Sequence, residues 1–314
     1  MHAVTIVDGE LVWQRRPDPV PGPGELLVAV RAAGINGADL LQRRGLYPPP
    51  EGAPEDIPGL EFAGEVVGVG PGVERFGSGD RVMALVAGGA QAELVTVPEQ
   101  TALFVPSGIG WPEASGFPEV FSTAHDALFT QAGLQAGERV LISGAAGGVG
   151  TAGVQLAHAA GAHVVASVRS VHLHARVGAL GADDVIEPDG VVDAGPYDVS
   201  LELVGAPGVM AALGSMATGG RIVVIGVGAG AKVELNLLVL MNRRVTIGGS
   251  TLRARPIEQK VEVARAVEGS VVPMLASGQI TVPVAAAFPM AAAAAGYERF
   301  AAGGKVGKVV LVME

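Results

Sequence analysis

The chain has 314 residues, long enough for two hydrophobic cores, because a single core stops growing at about 250 to 300 residues. With 49% hydrophobic and 17% charged residues it is too apolar for disorder, and a net charge of −10 with no run of Lys or Arg longer than a pair argues against a nucleic-acid binder. It contains no cysteine, which excludes disulfides, Cys-ligated zinc and a thiolate nucleophile.

Residues 1–7 lack the basic flank, apolar core and small-residue cleavage site of a signal peptide, so a cytoplasmic location is expected. The first third reads as short strands and turns. Runs 2–7 and 11–16 flank Asp8-Gly9, a hairpin signal. A proline-rich turn over 17–24 leads into a strand at 25–31, and 36–44 has helical spacing. Tyr47 and Pro48-Pro49-Pro50 then open an acidic loop that runs to Pro58. Runs 62–69, 80–85 and 92–97 supply further strands between glycine-rich turns, which predicts a small β-rich domain.

Near Pro112 the pattern changes to alternating helix and strand. Residues 113–131 look helical, and 139–143 and 162–167 read as buried strands. Runs 184–187, 197–203, 221–227 and 244–248 add four more strands, so the α/β alternation predicts a doubly wound parallel sheet of six strands. Toward the C-terminus, 257–275 forms an amphipathic helix, 280–284 and 306–312 read as strands, and an alanine-rich helix over 290–302 joins them. Residues 270–297 carry no charge, but Pro273, Pro283 and Pro289 break them into pieces shorter than the roughly 20 residues a spanning helix needs, so no membrane association is expected.

Between the strand at 139–143 and the helix that follows lies the turn Gly144-Ala145-Ala146-Gly147-Gly148-Val149-Gly150. Ala145, Gly147 and Gly150 fall at the positions of the GxGxxG dinucleotide fingerprint. Gly147 lets the backbone approach a pyrophosphate, Gly150 lets the helix pack on the strand, and the helix N-terminus offers N–H groups to phosphate. An NAD-preferring fold carries Asp or Glu at the end of the next strand, about 20 residues on. Here that strand ends Ser167-Val168-Arg169-Ser170. Nothing there repels a 2′-phosphate, and the Arg169 guanidinium and Ser170 hydroxyl suit one, so NADPH is the expected coenzyme.

The runs Ile35 to Gly45, Tyr47 to Pro50, Pro58-Gly-Leu-Glu-Phe-Ala-Gly64, Gly144 to Gly150 and Ser250-Thr-Leu-Arg-Ala-Arg255 together resemble the zinc-independent quinone oxidoreductases of the medium-chain dehydrogenase/reductase superfamily, over essentially the whole chain. That resemblance implies a GroES-like catalytic domain over 1–120, completed by 265–314, around a Rossmann NADPH-binding domain over 121–264. It also implies a homodimer. Asn36 stands where zinc-dependent relatives carry a Cys ligand, and Leu60 where they carry His, so no bound metal is expected. Without a Lewis acid, alcohol oxidation is disfavoured. The six His offer no substitute; His172 and His174, two apart on a helix, face different ways.

By the same resemblance Asn36 and Tyr47 border the reaction site. Asn36 offers hydrogen bonds to coenzyme or substrate oxygen, though it is also placed to cap the helix that follows; Tyr47 offers a ring for stacking or a proton. Thr123 corresponds to a threonine near the nicotinamide, and the following Ala124-His125 departs from the family's Ala-Tyr. Leu41 likewise stands where relatives often carry a second Tyr. Gly205, Ile225 and Gly226 at strand ends, with Ser250 and Leu252, are expected to line the coenzyme crevice, and Arg253 and Lys305 are further candidates. Glu61 is expected to pair with a buried Arg. The implied activity is NADPH-dependent reduction of a quinone or conjugated carbonyl. An enoyl thioester reductase of polyketide or acyl metabolism, and a catalytically idle, crystallin-like NADPH binder, are the alternatives.

Overall fold

The computed structural model describes residues 1–313. They form two compact units. The first comprises Met1–Ser122, Leu252–Gly303 and the chain from Lys308 on; the second comprises Thr123–Thr251 and Gly304–Gly307.

In the first unit the hairpin β1 (His2–Val7) and β2 (Glu10–Arg15) turns at Asp8-Gly9, both with positive φ. The strands β3 (Glu25–Ile35), β4 (Glu61–Val69), β5 (Arg81–Leu85), β6 (Leu94–Pro98) and β7 (Leu103–Phe104) follow. The second unit contributes β8 (Arg139–Ser143), β9 (His163–Ser167), β10 (Asp184–Ile186), β11 (Tyr197–Glu202), β12 (Met216–Val224) and β13 (Thr246–Gly249). The chain then returns to the first unit with β14 (Val284–Pro289) and β15 (Lys308–Val312).

The first unit's sheet runs β14-β15-β3-β4-β5-β7, with β6 also paired to β3. β3 is therefore its central strand. Residues Leu26, Val28, Val30, Ala33 and Ile35 of β3 pack with Phe62, Val66, Val82, Tyr297, Val309 and Leu311 in one core. The second unit's sheet runs β10-β9-β8-β11-β12-β13, all parallel. Its order reverses between β8 and β11, where open α/β sheets bind ligands at the strands' carboxyl ends. The expected α/β architecture, a GroES-like β domain and a six-stranded Rossmann sheet, is the one observed.

Three elements differ from their expected form. The helical stretch near 113–131 divides into Trp111–Ser115, Pro118–His125 and a π-helical turn Asp126–Gln131. Gly116 and Pro118 end one helix and start the next, because proline disfavours helical backbone in the residue before it. The amphipathic helix near 257–275 breaks at Val271, between Ile257–Ser270 and Val272–Ser277, where Pro273 lacks the N–H needed to continue the ladder. The strand expected over 280–284 is instead β14, which starts at Val284. Ile280 and Val282 are buried in extended chain before it. No described helix is long and apolar enough to cross a membrane.

Candidate active site and coenzyme cradle

In the first unit, β3 delivers the chain to the helix Gly37–Arg43 through Asn36, which has extended backbone and precedes the first helical residue. The Asp39 carboxylate reaches back to accept the Asn36 N–H at 2.8 Å, and its other oxygen accepts the Gly59 N–H at 3.1 Å. Asp39 is fully buried, and burial lifts its pKa to about 6 against the pull of these two N–H groups and of Lys308. Gly59 has φ +105°, and a Cβ there would lie 2.6 Å from the Gln91 nitrogen, so the Pro58-Gly59 turn requires glycine.

The Asn36 side chain is held between two buried charges. Its Nδ2 donates to Glu61 Oε1 at 3.0 Å, and its Oδ1 accepts from Lys308 Nζ at 2.5 Å. Lys308 Nζ also lies 2.6 Å from Glu61 Oε1 and donates to the Ile35 carbonyl at 3.0 Å. Both charged side chains are buried, at 3% and 0% exposure. The carboxylate's second oxygen accepts the Glu119 N–H at 2.8 Å, in the first turn of the helix Pro118–His125, whose positive dipole end favours the anion.

Two glycines make room for this pair. A Cβ at Gly34 on β3 would fall 2.2 Å from Glu61 Oε1, and one at Gly116 would fall 3.0 Å from Lys308 Cγ. The Arg expected opposite Glu61 is thus a lysine, brought from the last strand by antiparallel pairing of β15 with β3.

Tyr47 follows on the loop after this helix. The Arg253 guanidinium lies over its ring, 5.0 Å from the centroid, and partial burial raises the phenol's pKa, so the hydroxyl keeps its proton. Arg253 is 5% exposed. It donates to the carbonyls of Ala87 (2.7 Å) and Tyr47 (3.0 Å) and to Gln42 Oε1 (2.6 Å). The donors expected to line the coenzyme crevice therefore hold the Tyr47 loop within the first unit. Leu252 is buried beside it in the chain.

In the second unit the remaining candidates gather at the carboxyl ends of the parallel strands. Gly147 precedes the helix Gly148–Ala159, and Thr151 is the first residue to donate back to the Gly147 carbonyl, at 2.8 Å. The N–H groups of Gly148, Val149 and Gly150 precede any intrahelical acceptor and form the free end of the helix. A Cβ at Gly150 would lie 2.5 Å from the Gly144 carbonyl oxygen, so only glycine lets helix and turn approach this closely. Ala146 forms the outer part of the turn, and its carbonyl accepts the Gly307 N–H at 2.9 Å, which brings the segment carrying Lys305 to the turn.

Ser167 ends β9 and is buried, Arg169 is exposed, and Ser170 is half-buried. Gly205 follows β11 with φ +120°. Ile225 and Gly226 both donate to the Glu202 carbonyl, and the Ser250 N–H donates to Val224. Thr123 is buried at 7% exposure, and His125 packs on Phe129, with burial lowering its pKa.

Sequence reading missed Lys308, Asp39 and Glu202. Glu202 is fully buried and raised in pKa by burial; its Oε1 accepts the N–H groups of Val204 and Gly205. A charged residue within an apolar β-run was the available signal for both Glu202 and Lys308.

Residues 22–107 match the model of the alcohol dehydrogenase GroES-like domain, and 148–268 that of the zinc-binding dehydrogenase domain. Zinc is implied by the second description, but the described residues contain no group of three His, Cys, Asp or Glu side chains that could hold a metal ion. The donor set does not fit one. The chain is 34% identical to the quinone oxidoreductase of Thermus thermophilus, whose structure is known also in complex with NADPH; the match covers 100% of both chains with a TM-score of 0.86.

It is 31% identical over 93% of its length to a mycocerosic acid synthase-like polyketide synthase of Mycobacterium tuberculosis, and 45% identical over 46% of its length to the human synaptic vesicle membrane protein VAT-1 homolog. These alignments span 14% and 37% of the two relatives, so the chain corresponds to well under two thirds of either. On the two domain matches and the full-length similarity, the chain belongs to the medium-chain dehydrogenase/reductase superfamily of NAD(P)-dependent oxidoreductases.

Proposed function

We propose that the protein is an NADPH-dependent reductase that delivers hydride to a quinone or conjugated carbonyl without a metal ion. The observation that carries this reading is the end of β9, where Ser167-Val168-Arg169-Ser170 places an exposed guanidinium, and no carboxylate, beyond the open helix end at Gly148–Gly150. The N–H groups of that turn suit a pyrophosphate, and Arg169 with Ser170 suits a 2′-phosphate. Thr123, Gly205, Ile225, Gly226, Ser250 and Lys305 are assigned to the same coenzyme.

When bound, the coenzyme would supply the hydride. Within the first unit, the Asn36 amide meets the acceptor's oxygen as the electron pair moves onto it, and Tyr47, neutral at pH 7, offers a flat face and a proton. Arg253 supports that loop, and Leu252 is buried beside it in the chain. Likeness to the Thermus quinone oxidoreductase supports quinone as acceptor. The match to a polyketide synthase over 93% of the chain supports a second reading, reduction of an enoyl thioester.

The exposed Leu237, Leu238 and Met241 lie on the helix just before β13, the last strand of the second unit's sheet, which suits association with a second copy and supports a homodimer. The test is steady-state NADPH oxidation with quinones, enones and enoyl-CoA esters after exhaustive chelation. Turnover of quinones or enones by metal-stripped protein is expected. Preference for enoyl-CoA would select the second reading; no turnover on any acceptor would leave an idle NADPH binder.

A further inference from the structure

We infer that Lys308 and Glu61 are positioning residues that act through Asn36, the buried ammonium polarising its carboxamide so that the amide N–H becomes a stronger donor to an acceptor's oxygen. This rests on the reductase reading above.

The ammonium has three protons, and the structure accounts for all of them: Glu61 Oε1 at 2.6 Å, Asn36 Oδ1 at 2.5 Å and the Ile35 carbonyl at 3.0 Å. At 3% exposure, Lys308 has nothing left for a ligand. Its charge can act further only through a group it touches, and the uncharged side chain among its partners is Asn36. A hydrogen bond from a cation to the amide oxygen withdraws electron density from the amide nitrogen, and such chains strengthen cooperatively at low dielectric.

Nδ2 spends one N–H on Glu61 and keeps a second. The orientation is fixed as well. Turning the amide over would set its NH2 against the ammonium and its oxygen against the carboxylate, so the two buried charges hold one of two otherwise similar rotamers. Asp39 pins the backbone nitrogen of the same residue.

When hydride reaches the acceptor's carbon, its π electron pair shifts onto oxygen, and a proton from water or Tyr47 completes reduction. A polarised, pre-oriented N–H stabilises that developing charge. A buried ion pair contributes little net stability against apolar residues of equal volume, so stability alone gives no reason to keep this one.

The test compares wild type with Lys308→Arg and with the double variant Lys308→Met/Glu61→Gln, which leaves no unpaired buried charge. NADPH binding is measured by titration, and turnover with benzylideneacetones bearing ring substituents from electron-donating to electron-withdrawing. The double variant is expected to bind NADPH as wild type does and to lose about 10- to 100-fold in kcat with little change in KM. The loss should be steepest for the least electrophilic acceptors, and Lys308→Arg should retain part of the rate.

A readout independent of turnover is the side-chain amide signal of Asn36 in 15N-labelled protein, assigned by its disappearance in Asn36→Asp. It is expected to move upfield in the double variant relative to Glu61→Gln alone, in which Lys308 can still donate to Asn36 Oδ1. An unmoved signal overturns the inference, as does a rate loss uniform across the acceptors or matched by lost NADPH affinity. If wild type reduces none of the acceptors the reductase reading falls, and the amide signal still decides whether Lys308 polarises Asn36.

Discussion

Replacing Gly34 by alanine tests how tightly the buried carboxylate is fitted. All three heavy atoms nearest the new Cβ belong to Glu61, Oε1 at 2.2 Å, Cδ at 2.8 Å and Cγ at 3.0 Å. Gly34 lies within β3 without positive φ, so the backbone itself tolerates alanine. The side chain of Glu61 must therefore leave, abandoning Lys308, Asn36 and the Glu119 N–H. Breaking a buried pair on one side costs about 3–5 kcal/mol, and Gly34→Ala is expected to lose about that much stability.

Glu61→Ala alone should cost a similar amount, because Lys308 is left unpaired. In the Glu61→Ala background, however, the three nearest obstructing atoms are gone, and Gly34→Ala should cost clearly less than it does in wild type. Urea unfolding followed by tryptophan fluorescence measures this in the relevant unit, since both tryptophans, Trp13 and Trp111, belong to it. Equal costs in the two backgrounds would refute the steric argument.

Asp39 ionises near 3.8 in the unfolded chain and at about 6 when folded, so the folded state holds the extra proton between those values. Stability should fall as pH rises from 4 to 6, by about 2 kcal/mol, and Asp39→Asn should flatten that slope in unfolding curves at pH 4 and 7. Arg169→Ala should weaken NADPH by roughly 10- to 150-fold, the loss of one charge-assisted hydrogen bond, and leave NADH unchanged. Equal losses for both coenzymes in a binding titration would remove Arg169 from phosphate recognition. Tyr47→Phe should lower kcat modestly, whereas Tyr47→Ala should raise KM for flat acceptors; unaltered kinetics in both folded variants would make Tyr47 a packing residue.

The strand, glycine turn and helix around Gly147 were legible because their constraints are local: a strand, glycines at fixed offsets and a helix lie within one short run. The six parallel strands were legible for the same reason, each a short apolar run between turns. The Asn36 environment was not. Lys308 lies 272 positions from Asn36 along the chain, and only the pairing of β15 with β3 brings them together. A cation opposite Glu61 was foreseeable from the cost of burying a lone carboxylate, but its identity was not. The partners of Arg253 were not legible either, because its donors close a loop through Gln42, Tyr47 and Ala87, which lie more than 160 positions away along the chain. The start of β14 was misplaced because extended chain with buried Ile280 and Val282 has the same alternation as a strand and differs only in lacking a ladder.

The position of β15 bears on synthesis. β3, the centre of the first unit's sheet, leaves the ribosome more than 270 residues before Lys308, on the neighbour that covers one of its edges and neutralises Glu61. The second unit, whose sheet lies wholly between Arg139 and Gly249, has all its strands available first. The second unit's sheet can therefore be completed before the first unit's, although the first unit begins earlier in the chain. Between the synthesis of β3 and that of β15 the first unit's strands are an incomplete sheet with an open edge, and the window in which they need shielding closes only when Lys308 arrives.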